Sequence, residues 1–199
     1  MSPIPKRTPG QRAGLTRDAV LHEARALLER EGLDRLSMRR LAHRLGVAPN
    51  ALYSHVAGRT ELIDALLDDA LGAVAAPDPT RGDPRAGLET IMRRTYAVLL
   101  EHPDLVPLYL ARRGARGSRA VALGEVMLAL LARAGIDGDP AVAAMRTLII
   151  HTIGFAAFAV QDPLTPGAGE TTLTPAALEA HFTQSLRWLL DGITRPGGP

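Results

Sequence analysis

Asn50, Ala51, Tyr53, Ser54 and His55 lie within one short stretch, and each carries a group suited to nucleic acid. An Asn amide can bond adenine at two points, and an Ala methyl can pack on the thymine methyl. Tyr, Ser and His can hydrogen-bond phosphates or bases. Arg39 lies upstream and Arg59 just downstream, and the guanidinium fork suits phosphate and guanine alike. The expectation is that Arg39, Asn50 and Ala51 meet bases and that Tyr53, His55 and Arg59 meet phosphates, with Ser54 beside them.

Such residues act only if a frame presents them, and the flanking sequence supplies one. Ser37 is a good N-cap for a helix, and Leu36 and Leu41 have the spacing of a hydrophobic staple. Leu41, Ala42 and Leu45 give that helix an inward face. Gly46 can take the left-handed conformation that ends it. Val47 plugs the turn, and Pro49 suits the first position of a new helix. Leu52 and Val56, four apart, point back to the core. Two short helices around a Gly turn make a helix-turn-helix, which seats its second helix in the major groove of DNA.

The run Leu36–Leu66 resembles the DNA-binding domain of the tetracycline-repressor (TetR) family, through a pattern of the form LAxxLGV…LYxHV. Thr16–Gly32 resembles that family's first helix. The similarity weakens downstream, where Leu99–Arg112 and Ala144–Asp162 still look like the family's effector domain. The resemblance implies a homodimeric repressor whose helical C-terminal domain binds a small molecule and releases operator DNA. It also implies that the last two long helices form a four-helix interface with their copies. Position 50 is commonly Pro, Ser or Gly in relatives, so Asn50 would alter operator preference. Tetracycline-binding members hold the drug with metal-chelating histidines. No matching cluster is visible among the six histidines here, so neither a metal nor a cofactor is expected.

Charge and composition agree with this reading. The net charge of the 199 residues is only +2. Up to Thr60, however, eleven Lys and Arg face five Asp and Glu, a local excess of +6, which leaves −4 for the rest. A basic head on a mildly acidic body suits a phosphate-binding module joined to a regulatory one. A nucleoid-type DNA binder would carry more charge and no large apolar body. There is no Gly-rich phosphate loop, no G-x-S-x-G and no cysteine, so an enzyme is not expected. The longest apolar run, Leu148–Val160, is broken by His151, Thr152 and Gly154 and reads as too short to span a membrane. The N-terminus lacks a signal-peptide core. A cytoplasmic protein is the expectation.

The expected fold is all-α: an N-terminal three-helix helix-turn-helix domain plus a helical ligand-binding and dimerisation domain. Residues 1–15 read as a flexible basic arm, 16–58 as the DNA-binding domain, 59–75 as a connecting helix and 76–199 as the regulatory domain. Met92, Tyr96, Tyr109, Met127, Leu131, Thr147, His151 and Phe155 lie on apolar helical faces with a few polar tips, the make-up of a small-molecule pocket. That pocket is expected to be uncharged on balance, with Arg146 able to turn inward toward an acidic ligand. Phe155, Leu178, Phe182, Ser185, Trp188 and Leu189 are expected at the dimer interface, because a two-fold DNA site calls for a two-fold protein.

Overall fold

A computed structural model describes residues 14–160 and 174–195. Most of the expected arm and residues 161–173 lie outside the described residues. The chain divides into two compact units, one ending at Leu62 and the other beginning at Ile63. Every regular element among the described residues is helical.

The first unit is built by local rules. Helix α1, Arg17–Glu31, starts where the Thr16 hydroxyl accepts the Ala19 N–H at 3.1 Å, and it stops at Gly32, φ +77°. Its buried stripe is Val20, Ala24, Leu27 and Leu28, the spacing of one helix face. Helix α2, Met38–Leu45, is capped by Ser37, whose hydroxyl accepts the Arg40 N–H at 3.3 Å. Gly46 ends it at φ +64°, ψ +30°, the left-handed pocket that glycine enters without strain. Helix α3, Pro49–Leu52, begins on Pro49 as N1. Leu36, Leu41, Leu52 and Val56 are all sealed from solvent.

Helix α4, Arg59–Leu71, crosses the boundary between the units. The second unit continues with α5 (Pro84–Glu101), α6 (Val106–Arg112), α7 (Ser118–Arg133), α8 (Gly138–Val160) and α9 (Pro175–Ile193). Helix α8 lies at the centre and packs on α5, α6, α7 and α9. Helix α5 meets α7 closely at Gly87, where a Cβ would come within 3.0 Å of Leu130.

Polar pins hold the second half of α4 in this unit. Arg112 makes a two-point ion pair with Asp64, at 2.7 and 2.6 Å. The Asp68 carboxylate accepts the Ala120 N–H at 2.8 Å and the Arg119 N–H at 3.4 Å, satisfying amides of the first turn of α7. Gly117 precedes that turn at φ +138°, and a Cβ there would sit 2.4 Å from the Asp68 carboxyl carbon. No other residue fits this approach.

One sequence expectation needs correction. Residues 138–160 form one unbroken helix of 23 residues, with mean hydropathy 1.6 in its most apolar part. By length and composition alone it could cross a bilayer. The Ala-rich stretch before Leu148 extends the apolar run that His151, Thr152 and Gly154 had appeared to shorten. Four neighbouring helices pack against it, and 33% of its most apolar part is buried within the chain.

Candidate nucleic-acid interface and cavity

In the first unit the question is which polar groups are committed. Of the three arginines of α2, Arg40 pairs with Glu31 at 2.6 Å, and Arg44 pairs with Glu23 and Glu31 of α1. Arg39 is exposed and has no acidic partner among the described residues. Asn50 and Tyr53 are exposed, Tyr53 at 52% despite its ring, while Ala51 and His55 are half-buried. The Ser54 hydroxyl donates to the Ala51 carbonyl at 2.8 Å, which tightens the end of α3. Arg59 opens α4, as expected, and is exposed. Its guanidinium donates to the Leu36 carbonyl at 2.9 Å and to the Leu33 carbonyl at 3.1 Å. Those carbonyls belong to the turn between α1 and α2, so Arg59 clamps the unit together and its donors are partly spent.

The second unit contains a cavity of about 640 Å³. Its wall is largely apolar and is drawn from the end of α4 at Leu71, from α5, α6, α7 and α8, and from the loop between α6 and α7. Met92, Tyr109 and Met127, three of the eight expected residues, line it. Leu99 and Ile150, from the same apolar faces, line it too. The other five do not. Leu131 is sealed in the core, and Thr147 is exposed with its hydroxyl on the Ala143 carbonyl. Tyr96, His151 and Phe155 belong to a packed aromatic cluster on another side of α8.

That cluster centres on Phe182. Its ring stacks on Tyr96 with centroids 4.1 Å apart, and it lies 5.4 Å from His151 and 5.7 Å from Phe155. Phe182 is therefore 1% exposed within a single chain and has no surface to offer a second copy, which corrects its assignment to the interface. The reason is the register of α9: Phe182, Leu186 and Leu190 form its inward stripe. Trp188 stands out at 65% exposure, while Leu178, Leu189, Ser185 and Phe155 are half-buried. Phe158, three residues beyond Phe155 on α8, is 71% exposed and was not among the expected residues, although its spacing from Phe155 places it near the same face.

His151 Nε2 lies 2.8 Å from the Ser185 hydroxyl, which in turn lies 2.7 Å from the His181 carbonyl. A hydroxyl has one proton. If it goes to the carbonyl, His151 donates through Nε2, and the buried Nδ1 is left without a partner. Burial pushes the His151 pKa down, in keeping with a neutral ring.

The cavity also holds groups that sequence reasoning missed or misplaced. Arg113 and Arg146 line it, together with Thr95, and no Asp or Glu does. The expectation of a wall uncharged on balance is therefore wrong; the charge is positive. Arg113 has φ +57° and ψ +46°, and is the sole non-glycine residue with positive φ among those described. For a side chain with a Cβ this conformation costs on the order of 1–2 kcal/mol. Tyr109 does two things at once. It lines the cavity, and its hydroxyl donates to the Leu67 carbonyl of α4 at 2.6 Å.

Comparison with known proteins gives the lineage. Residues 20–66 match the model of the tetR family of bacterial regulatory proteins, and residues 76–162 match that of the tetracyclin repressor-like C-terminal domain. The chain belongs to the tetR family. An HTH-type transcriptional regulator of Saccharopolyspora erythraea is 34% identical over 140 residues, which are 70% of this chain and 59% of that relative. The chain thus spans little more than half the length of that relative. Among solved structures, the TetR family protein ActR of Streptomyces coelicolor in complex with (S)-DNPA superposes with a TM-score of 0.75 at 26% identity, covering 92% of this chain and 98% of that one. BioQ with its double-stranded DNA operator superposes at 0.68 and 25% identity, covering 92% and 99%. The tetR-family resemblance and the all-α fold expected from the sequence both hold.

Proposed function

We propose that this tetR-family chain is a homodimeric, cytoplasmic repressor that a small organic molecule releases from operator DNA. The observation that carries this reading is Tyr109, which joins the cavity wall to α4. Helix α4 begins in the helix-turn-helix unit and ends in the cavity-bearing one. An occupant that displaces Tyr109 acts on α4 directly. Release also requires that the effector prefer the DNA-free state, since a ligand with equal affinity for both states shifts nothing.

On DNA, Arg39, Asn50 and Ala51 read bases, and Tyr53 and His55 hold phosphates, with Ser54 bracing the turn. Residues 16–58 act as the reading head and 59–75 as the connection to the regulatory body. Two copies present their recognition helices to successive major grooves, roughly 34–36 Å apart. The outward aromatics Phe158 and Trp188 suit the contact between copies. ActR bound to (S)-DNPA and BioQ bound to its operator support both halves of the reading.

Selection from random duplexes tests it. A short, partly palindromic sequence should emerge, and its retention in a mobility shift should fall steeply with salt. Phe158→Glu with Trp188→Glu should give single chains by light scattering and lose that retention. Failure to enrich any sequence, or a wild-type mass of one chain at micromolar concentration, would count against the proposal.

A further inference from the structure

Eleven arginines lie between Arg81 and Arg187, and nine of them are occupied. Arg81, Arg85, Arg93, Arg112, Arg119 and Arg187 face carboxylates. Arg94, Arg116 and Arg133 donate to backbone carbonyls. The two with no such partner among the described residues are Arg113 and Arg146, and these are the two that line the cavity. No carboxylate in the wall answers them.

Thr95 adds an independent sign. A helical threonine ordinarily gives its hydroxyl proton to the carbonyl four residues back. Thr90, Thr147, Thr152 and Thr194 all do so here. Thr95 does not: its hydroxyl is buried without a hydrogen-bond partner, and the residue lines the same cavity. An unmet buried hydroxyl is costly and calls for a partner. Arg113, moreover, holds its place in a left-handed conformation that the neighbouring Gly114 would adopt freely. The conformation ends α6, with the Arg113 N–H on the Leu110 carbonyl, a place where glycine is the usual residue.

We infer that the cavity takes an anionic amphiphile: an organic molecule with a flat or chain-like apolar body and one acidic head. The body lies against Met92, Leu99, Leu123, Met127 and Ile153. The acidic head, a carboxylate or a group of like charge, meets Arg113 and Arg146, and a polar atom of the body reaches the Thr95 hydroxyl. Both arginines line the cavity while remaining exposed to solvent, so the acidic head is held at the open side and the apolar body lies deeper; a neutral analogue lacks the charge-assisted contact. The inference rests on reading the cavity as the effector site, and it names the class of effector.

Two dyes that differ by a single sulfonate provide the test. They are 8-anilinonaphthalene-1-sulfonate and neutral N-phenyl-1-naphthylamine, titrated by fluorescence against the full chain. The anion should bind at least about tenfold tighter to the wild type. Arg113→Gly with Arg146→Met should abolish that preference while leaving the neutral dye's affinity in place. Arg113→Gly relaxes the backbone, so the variant should keep its helical circular dichroism. Gly124→Leu, at a wall position where a Cβ meets only Met145 sulfur at 3.7 Å, should fill the cavity and block both dyes. Equal affinity of the wild type for both dyes overturns the anion assignment alone. A preference that survives in the double variant, or anion binding that survives Gly124→Leu, does the same. Failure of the wild type to bind either dye overturns the effector cavity, and the anion assignment with it.

Discussion

The two units keep their unpartnered groups in different places. In the helix-turn-helix unit, Arg40, Arg44 and Arg59 are tied to glutamates or backbone carbonyls, and the uncommitted Arg39, Asn50 and Tyr53 face solvent. In the regulatory unit, Arg112 and Arg119 are tied to α4, while the uncommitted Thr95 hydroxyl, Arg113 and Arg146 surround a cavity. In the proposed reading, the first set would meet DNA and the second would meet a ligand at the cavity. Residue type alone does not separate these settings: arginine serves as clamp and as free surface cation in the first unit, as pin and as cavity lining in the second. What separates them is whether the protein already supplies the partner.

The comparison sharpens first within the regulatory unit, between its packed and its hollow side. Phe182→Ala removes the centre of the aromatic cluster and should cost about 3–5 kcal/mol, the range for a buried Phe that leaves a cavity. Leu123→Ala, at a wall that already borders empty space, should cost less than about 2 kcal/mol. Urea unfolding of the DNA-free protein measures both. Equal losses would erase the distinction between a packed side and a hollow one.

The next effect lies in the first unit, between clamp and reader. Arg59→Ala frees two carbonyls and should lower stability by about 1–3 kcal/mol. Arg39→Ala should leave stability within about 0.5 kcal/mol of wild type, yet relax discrimination at one base pair by about 1–3 kcal/mol. Tyr53→Ala should weaken all sequences alike, as loss of a phosphate contact does. If Arg59→Ala leaves the melting temperature unchanged and alone relaxes specificity, the two roles are reversed.

The first unit was more legible in the sequence because its determinants are local. Thr16, Ser37, Gly46 and Pro49 each act within a few residues, and a cap or a left-handed turn needs no knowledge of distant partners. The bonds of Arg59 to two carbonyls were not legible, because those partners lie 23 and 26 residues away. In the second unit the apolar faces of α5, α7 and α8 were visible, but not their neighbours. Whether Phe182 faces its own chain or a copy depends on how α9 is rolled against α5, and periodicity cannot fix that. Thr147 and Leu131 fail as cavity residues for the same reason. Arg146 was read as able to turn toward an acidic ligand, but Arg113 was not singled out, since only the packing of several helices creates the space it borders.

The smallest effect concerns His151, the titratable group of the packed side. It is faced from α9 by Ser185 and Phe182 and from its own helix by Phe155. No carboxylate or cation pairs with its ring among the described residues. Glu179, on α9, acts instead on neighbouring Tyr96, whose pKa is raised by burial and by that charge. Burial lowers the His151 pKa below the ordinary value of 6.5. An unfolded chain therefore binds a proton at this residue as the pH falls through 6.5, while the folded chain resists. The sign follows: stability contributed here is complete above pH 6.5, and is lost as the pH falls toward the folded-state pKa. His151→Gln keeps a donor for the Ser185 hydroxyl but cannot titrate. Between pH 7.5 and pH 5.5 the wild type should lose more melting temperature than His151→Gln, with the other five histidines common to both proteins. Parallel pH profiles would mean that the ring is charged and accommodated in the fold, and that the packed side is less dry than the cluster of Tyr96, Phe155 and Phe182 makes it.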